Sequence, residues 1–185
     1  MMSSKLVQIF AGAMVVLIFL MFATQPEHKP LKSSVLGFKV LESDALFFKN
    51  LRQFYYDKEF HEDAGYELFR HPDQKPLDSH EPRLVILNNW LMDEAYIMFE
   101  NKDGSSIHAK LRLKNEGDEI VYDLQGANAV QQQEIAAGMY YSLADAQSSF
   151  LIYKDDTWVP IWDSESKRKI IKGILKDYFK LVGSL

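Results

Sequence analysis

A chain without cysteine has to do any chemistry with imidazoles, carboxylates, amides and basic groups, and in this sequence such groups gather in three places. The first is His61-Glu62-Asp63, with His71 and His80 further along. Imidazole and carboxylate are the ligands such a chain offers to zinc or another divalent ion. The spacing follows no ligand rule, because a His-Glu-x-x-His site needs its two histidines one helical turn apart. Here Gly65 follows the cluster and the next histidine is His71. A polar turn running into an exposed loop accounts for these residues, and neither a metal nor a cofactor is expected.

The second group is Asn88-Asn89-Trp90 with Asp93-Glu94, a polar knot between two apolar runs. Amides and carboxylates converging there can orient a small ligand or serve as general acid and base. Arg52 and Arg70 can each fork two bonds to a carboxylate. Arg52, Arg70, Asn89, Asp93 and Glu94 are therefore the candidate ligand-binding residues. Ordinary turn chemistry uses the same residue types, through bonds from Asn and Asp side chains to nearby backbone. The third group is a cationic stripe, Lys169, Lys172, Lys176 and Lys180, thickened by Lys167 and Arg168. It can meet anionic headgroups or an acidic partner, although a lysine row is also the ordinary solvated back of an amphipathic helix. Glycine-rich phosphate loops, a Gly-x-Ser-x-Gly elbow and a dinucleotide fingerprint are all missing from the sequence.

The elements that must position these groups follow from hydrophobic periodicity. Val35 to Leu41 reads as an entry strand. The run ALFFKNLRQFYY after Ser43-Asp44 fits a helix capped by serine, but its aromatic density favours a strand pairing with Tyr66 to Arg70 across the HEDAG turn. Arg83 to Asn88 and Ala95 to Glu100 read as strands. Ile107 to Leu113 alternates strictly, with Ile107, Ala109, Leu111 and Leu113 on one face, and Glu119 to Leu124 returns. Leu84 to Leu124 thus predicts an antiparallel meander. The period then changes: Ile135, Met139, Leu143 and Ala146 share a helical face. Phe150 to Trp162 reads as a strand pair or a strand and turn, with Asp155-Asp156 at the bend. A last helix, capped by Asp163 or Ser164, carries Ile171, Ile174, Leu175, Tyr178 and Val182 on one face and stops at Gly183. Strands first and helices later predict an α+β domain over residues 35–185, a mostly antiparallel sheet of about five to seven strands packed by two helices of the C-terminal half.

Ahead of that domain lie a short tail (residues 1–5), an uncharged apolar segment (6–24) and a spacer (25–34) holding two prolines. From Leu6 to Ala23 the apolar segment is long enough, at about 1.5 Å per residue, to span a bilayer as a helix, and it is apolar on every face. Cleavage after Ala23 would place Met21 at the −3 position, where a small residue is required, so an uncleaved single-pass signal anchor is expected. Orientation is contested. Lys5 and the amino terminus lie on one side and Lys29, Lys32 and Lys39 on the other, which by count alone keeps the domain inside. A five-residue tail ahead of such a helix more often stays cytoplasmic while the following domain crosses, and the non-cytoplasmic side is expected.

Composition narrows the function further. At 47% hydrophobic residues the chain folds rather than stays disordered, and its net charge of −5 argues against a nucleic-acid binder. The sequence therefore leads to a membrane-anchored interaction or assembly module presenting its soluble domain to a protein partner in an envelope complex. The alternative is an anchored or secreted small-ligand-binding protein or hydrolytic enzyme built on Asn89, Asp93 and Glu94.

Overall fold

The computed structural model describes residues 14, 31, 37–74, 81–115, 118–145 and 147–185. Apart from Met14, the apolar segment 6–24 lies outside the described residues, as do the spacer except Leu31, His80 and Ala146. Among the described residues no helix is long and apolar enough to cross a membrane.

The domain is α+β, as its pattern predicts, but among the described residues eight strands divide into two four-stranded antiparallel sheets rather than five to seven in one. The first sheet holds β1 (Asp57–His61), β2 (Tyr66–Arg70), β3 (Arg83–Asn89) and β4 (Glu94–Glu100), in that order. The second holds β5 (Lys110–Asn115), β6 (Asp118–Asp123), β7 (Ser149–Lys154) and β8 (Thr157–Ile161), in the order β6-β5-β7-β8. The predicted meander is therefore two hairpins in different sheets, and the chain crosses from one to the other after Glu100. The predicted faces hold: Ile107, Leu111 and Leu113 are buried, although only the last two sit on the ladder.

The largest departure from expectation is the aromatic run. Residues 42–55 are helical: α1 (Glu42–Phe47), a π-helical turn over Phe48–Arg52 and a 3-10 turn over Gln53–Tyr55. No serine caps α1; Leu41 stands at the cap without a side-chain bond. Glu42 and Asp44 in the first turn complement the helix dipole instead. The strand that pairs with Tyr66 to Arg70 is instead β1, which begins at Asp57, with Tyr56 between it and the 3-10 turn, in a register that places Phe60 opposite Glu67. Of the expected entry strand Val35 and Leu36 lie outside the described residues, and the rest includes a short track beside β4, where Val40 N–H donates to the Asp93 carbonyl at 2.8 Å and Ala95 N–H to the Phe38 carbonyl at 2.8 Å.

The later elements follow the sequence closely. α2 (Ala129–Ser142) opens on a reciprocal cap between Asn128 and Gln131. α3 (Glu165–Leu181) is capped by Ser164, whose side chain accepts from Lys167 N–H. It ends where Gly183 turns to φ +67. The β7–β8 turn places Asp155 and Asp156 at φ 50 and 60, the left-handed pair that a two-residue hairpin loop requires. α3 packs on β3 and β4, and α2 on β4 and β5, so both sheets and both helices share one core containing Phe69, Ile86, Leu111, Met139, Ile152 and Tyr178.

Glycine is demanded at one turn that shapes the surface described below. Gly65 joins β1 to β2 at φ +70, and a Cβ there would lie 2.1 Å from Leu91 Cδ1. Its carbonyl accepts from Trp90 N–H at 3.2 Å, so the two turns are clamped together. Gly65→Ala should cost about 1–2 kcal/mol from the left-handed backbone alone. Part of any further loss should disappear in a Leu91→Ala background, as a double-mutant cycle by urea unfolding will read.

Candidate functional site

Both arginines that sequence reasoning singled out are committed to carboxylates. Arg52, the last residue of the π-helical turn, forks onto Asp177 of α3, Nε to Oδ1 at 2.8 Å and Nη2 to Oδ2 at 2.9 Å. The Tyr56 hydroxyl donates to the same Oδ2 at 2.7 Å. Asp177 is buried among apolar neighbours on the inner face of α3. Burial, reinforced by that carboxylate, pushes the Tyr56 hydroxyl far above the ordinary tyrosine range, so it acts as a donor throughout. The bond to Asp177 raises the Arg52 guanidinium further. His71 meets the Tyr56 ring edge-on at 5.5 Å between centroids.

Arg70 makes a second fork, Nε to Glu100 Oε1 at 2.7 Å and Nη2 to Oε2 at 3.0 Å. Glu100 is buried and also takes Arg83 Nη2 at 2.8 Å. Glu59 closes the network from β1, its carboxyl held below the usual range by the bond from Arg70. Arg70 pairs with Val85, at the opposite end of β2 from the Tyr66–Asn89 pair. Neither arginine therefore converges with the Asn89–Glu94 knot.

Within the knot, Asn89 Oδ1 accepts from Leu91 N–H and Met92 N–H, each at 3.1 Å. Asp93 sits at φ 50 with an exposed carboxylate 3.6 Å from Lys39. Glu94 accepts from the Tyr96 hydroxyl and pairs with Asn89 across the hairpin. These three residues build the β3–β4 turn and carry at its tip Trp90, Leu91 and Met92, which are 36%, 70% and 58% exposed.

Beside that tip the core-facing side of the first sheet runs out into the open. Side chains two apart share a face, so the buried row Phe69, Ile86 and Ile97 continues toward the turn as Phe60, Glu67 and Asn88. Asn88 Nδ2 donates to Glu67 Oε1 at 3.0 Å, which satisfies one oxygen of a buried carboxylate. Phe60, Glu67 and Trp90, with Lys49 and Gln53 from the helical segment opposite and Lys58 and Glu62 at the rim, line an open groove of about 420 Å³. Glu67 and Phe60 escaped sequence reasoning. The legible signal was a glutamate between tyrosine and leucine at the start of an otherwise apolar strand.

A second exposed surface lies on the other sheet. Among the described strands β6 pairs only with β5, and at its centre Ile120 and Val121 are 46% and 47% exposed. Gly138 of α2 lies over Tyr122, one turn from the exposed Tyr141. Other edges are guarded: β8 carries Pro160, which blunts pairing, and β1 carries Asp57, Lys58 and Glu59. β6 has acidic residues at its ends only.

The cationic stripe is split in its surroundings. Lys167 is bound to Glu81 at 2.6 Å and Asp163 at 3.2 Å, and Arg168 donates to the Ser148 carbonyl at 2.6 Å and the Asp145 carbonyl at 3.0 Å. Lys180 lies over the Phe47 ring. Lys169 and Lys176 are exposed, and Lys172 is half-buried. His61 pairs with Glu59 at 2.9 Å and stacks on Tyr66. Among the described residues no group of three or more histidines or carboxylates is placed to hold a metal ion.

No protein-family model matches the chain, and neither a curated protein nor a solved structure matches it.

Two outcomes follow for the Asp177 cluster. Arg52→Ala leaves a buried carboxylate without its counter-ion and should cost about 2–3 kcal/mol in urea unfolding, less than for a fully buried pair because one-third of the Arg52 side chain is exposed. Tyr56→Phe, which removes a buried hydrogen bond to a charged group, should cost about 1.5–3 kcal/mol. For His71, burial lowers the imidazole below its ordinary value, partly opposed by Asp73 and Asp177. Between that lowered value and the unfolded one near 6.5 the unfolded chain binds more protons, so this contribution is present above that window and is lost as pH falls through it. Thermal midpoints measured from pH 7.5 to 5 should therefore fall less for His71→Gln than for the native chain.

Proposed function

We propose that the protein is a single-pass, membrane-anchored interaction module, holding its α+β domain on the non-cytoplasmic side and presenting it to a protein partner within an envelope complex. The observation that carries this is the unguarded edge of β6. An edge strand offers a row of free backbone donors and acceptors, and an extended segment of a partner gains main-chain bonds by adding itself there. Ile120 and Val121, one on each face of the strand, supply apolar contact on both sides of the added strand, and the carboxylates of Asp118 and Asp123 favour a partner segment with basic flanks, Glu119 being held by Arg112 and Lys114.

The anchoring part rests on the uncharged segment 6–24, and the side on the short tail before it; a cysteine-free chain also suits a compartment where stray thiols oxidise. Arg52, Arg70 and Glu94 are bonded to partners within the domain, whereas the outer edge of β6 pairs with no other described strand.

A photo-crosslinking residue placed at position 121 in the full chain, activated in intact membranes, should yield a discrete heteromeric adduct. Ile120→Lys, which adds a charge beside it, should reduce that adduct at least severalfold. Recovery of uncrosslinked monomer alone, with the protein correctly in the membrane, would overturn the proposal.

A further inference from the structure

We infer that the groove beside the β3–β4 turn is a binding site for a primary ammonium group, carried by a small amine or by a lysine side chain, with the Glu67 carboxylate as its counter-ion and the Trp90 ring as its wall. The site is separate from the β6 edge and depends neither on that edge nor on the anchor.

The state of Glu67 supplies the first reason. It stands between Phe60 and Asn88 on the core-facing side of the first sheet and is only 7% exposed. A carboxylate taken out of water needs a counter-charge or a full set of hydrogen bonds. Asn88 Nδ2 gives one oxygen a bond at 3.0 Å, and no other described residue bonds or pairs with this carboxylate. The other buried carboxylates differ: Asp177 holds Arg52 and Tyr56, and Glu100 holds Arg70 and Arg83. Among the described residues Glu67 is thus the buried carboxylate without a cation, and it lines a groove whose volume of about 420 Å³ suits a small ligand.

The second reason is what surrounds that carboxylate. The groove's own cations do not neutralise it: Lys58 Nζ donates to Gln53 Oε1 at 3.1 Å and lies 5.6 Å from the centre of the Phe60 ring, and Lys49 stays on the helical segment opposite. With Glu62 the groove carries two charges of each sign, so net charge selects no ligand and position does. Lys49, Lys58 and Glu62 are exposed and screened by water. Glu67 lies in the lower dielectric beneath them, where an opposite charge is attracted more strongly. Trp90 lines the same groove, and its ring meets no other ring or cation among the described residues. An indole face is the best side-chain surface for an organic cation. A single carboxylate beside an open indole suits an ammonium on a carbon chain rather than a metal ion, which needs several oxygen ligands. The turn holds that indole in place, because the Gly65 carbonyl accepts from the Trp90 amide.

The test titrates n-butylammonium onto the full chain in lipid nanodiscs, read by saturation-transfer NMR against empty nanodiscs, with n-butanol as the neutral control. The native chain should bind butylammonium saturably and butanol far more weakly. Glu67→Gln keeps the side-chain shape and an oxygen for Asn88, and should weaken butylammonium roughly tenfold. Its thermal midpoint should be no lower than the native one, because an unpaired buried charge has been removed. Trp90→Ala, at an exposed turn tip, should weaken butylammonium severalfold, and it decides the matter if Glu67→Gln does not fold. A short capped peptide with one lysine separates the two sources: binding as tight as that of butylammonium assigns the site to a partner's lysine, and exclusion of the peptide assigns it to a small amine. Butylammonium that does not saturate, that binds no better than butanol, or that binds the Glu67→Gln and Trp90→Ala chains as well as the native one overturns the inference.

Discussion

Asp177 sits on the face of α3 that also carries Ile174, Leu175, Tyr178 and Leu181, all buried. A lone carboxylate there would cost several kcal/mol, and the Arg52 fork with the Tyr56 hydroxyl offsets that cost by supplying a counter-charge and three hydrogen bonds. The geometry of the fork then dictates much else. It fixes the helical segment 42–55 against α3, and it brings Phe48 and Tyr56 onto Phe69, with Phe48 and Phe69 edge to face at 5.0 Å between centroids. Because Lys49 and Gln53 ride on that same segment, one wall of the groove stands where it does on account of a residue on the last helix.

This dependence explains which parts of the fold were legible in the sequence. Where an element's environment is set by its own period, as in Leu111 and Leu113 or Ile135 and Met139, the alternation alone identifies the buried face. α3 was legible from both ends, by its serine cap and its terminal glycine. Residues 45–56 were not, because an aromatic-rich run satisfies strand and helix periods alike and the choice is made by Asp177, more than 120 residues away. The division into two sheets was equally hidden. A strand pattern records which face is apolar and not which neighbour is bonded, so Glu100 and Lys110 look like consecutive members of one meander although their strands lie in different sheets.

The candidate residues show the same limit from the side of chemistry. The two candidate arginines take long-range partners that sequence does not reveal: Arg52 forks onto Asp177, and Arg70 onto Glu100, which Arg83 also binds. Glu59, Arg70, Glu100 and Arg83 fasten β1, β2, β4 and β3 together. Asn89, Asp93 and Glu94 likewise shape a turn. What they position is apolar, so the tip they carry consists of Trp90, Leu91 and Met92 rather than of ionisable groups. Patterning that marks a buried face is silent about an apolar face left outside, since both are written in the same residues.

The fork between Arg52 and Asp177 also sets an order of events. A contact between residues 125 positions apart cannot form until nearly the whole chain is available, and α3 is the element that covers β3 and β4. Before α3 arrives, α2 can already pack on β4 and Phe48 on Phe69, but the part of β3 and β4 that α3 covers stays open. Closure over that part comes late, and contacts of such sequence separation slow folding. Until that last helix is in place the apolar strip of β3 and β4 beneath it stays open to wrong neighbours, so the final tenth of the chain is what separates a finished core from an adhesive one.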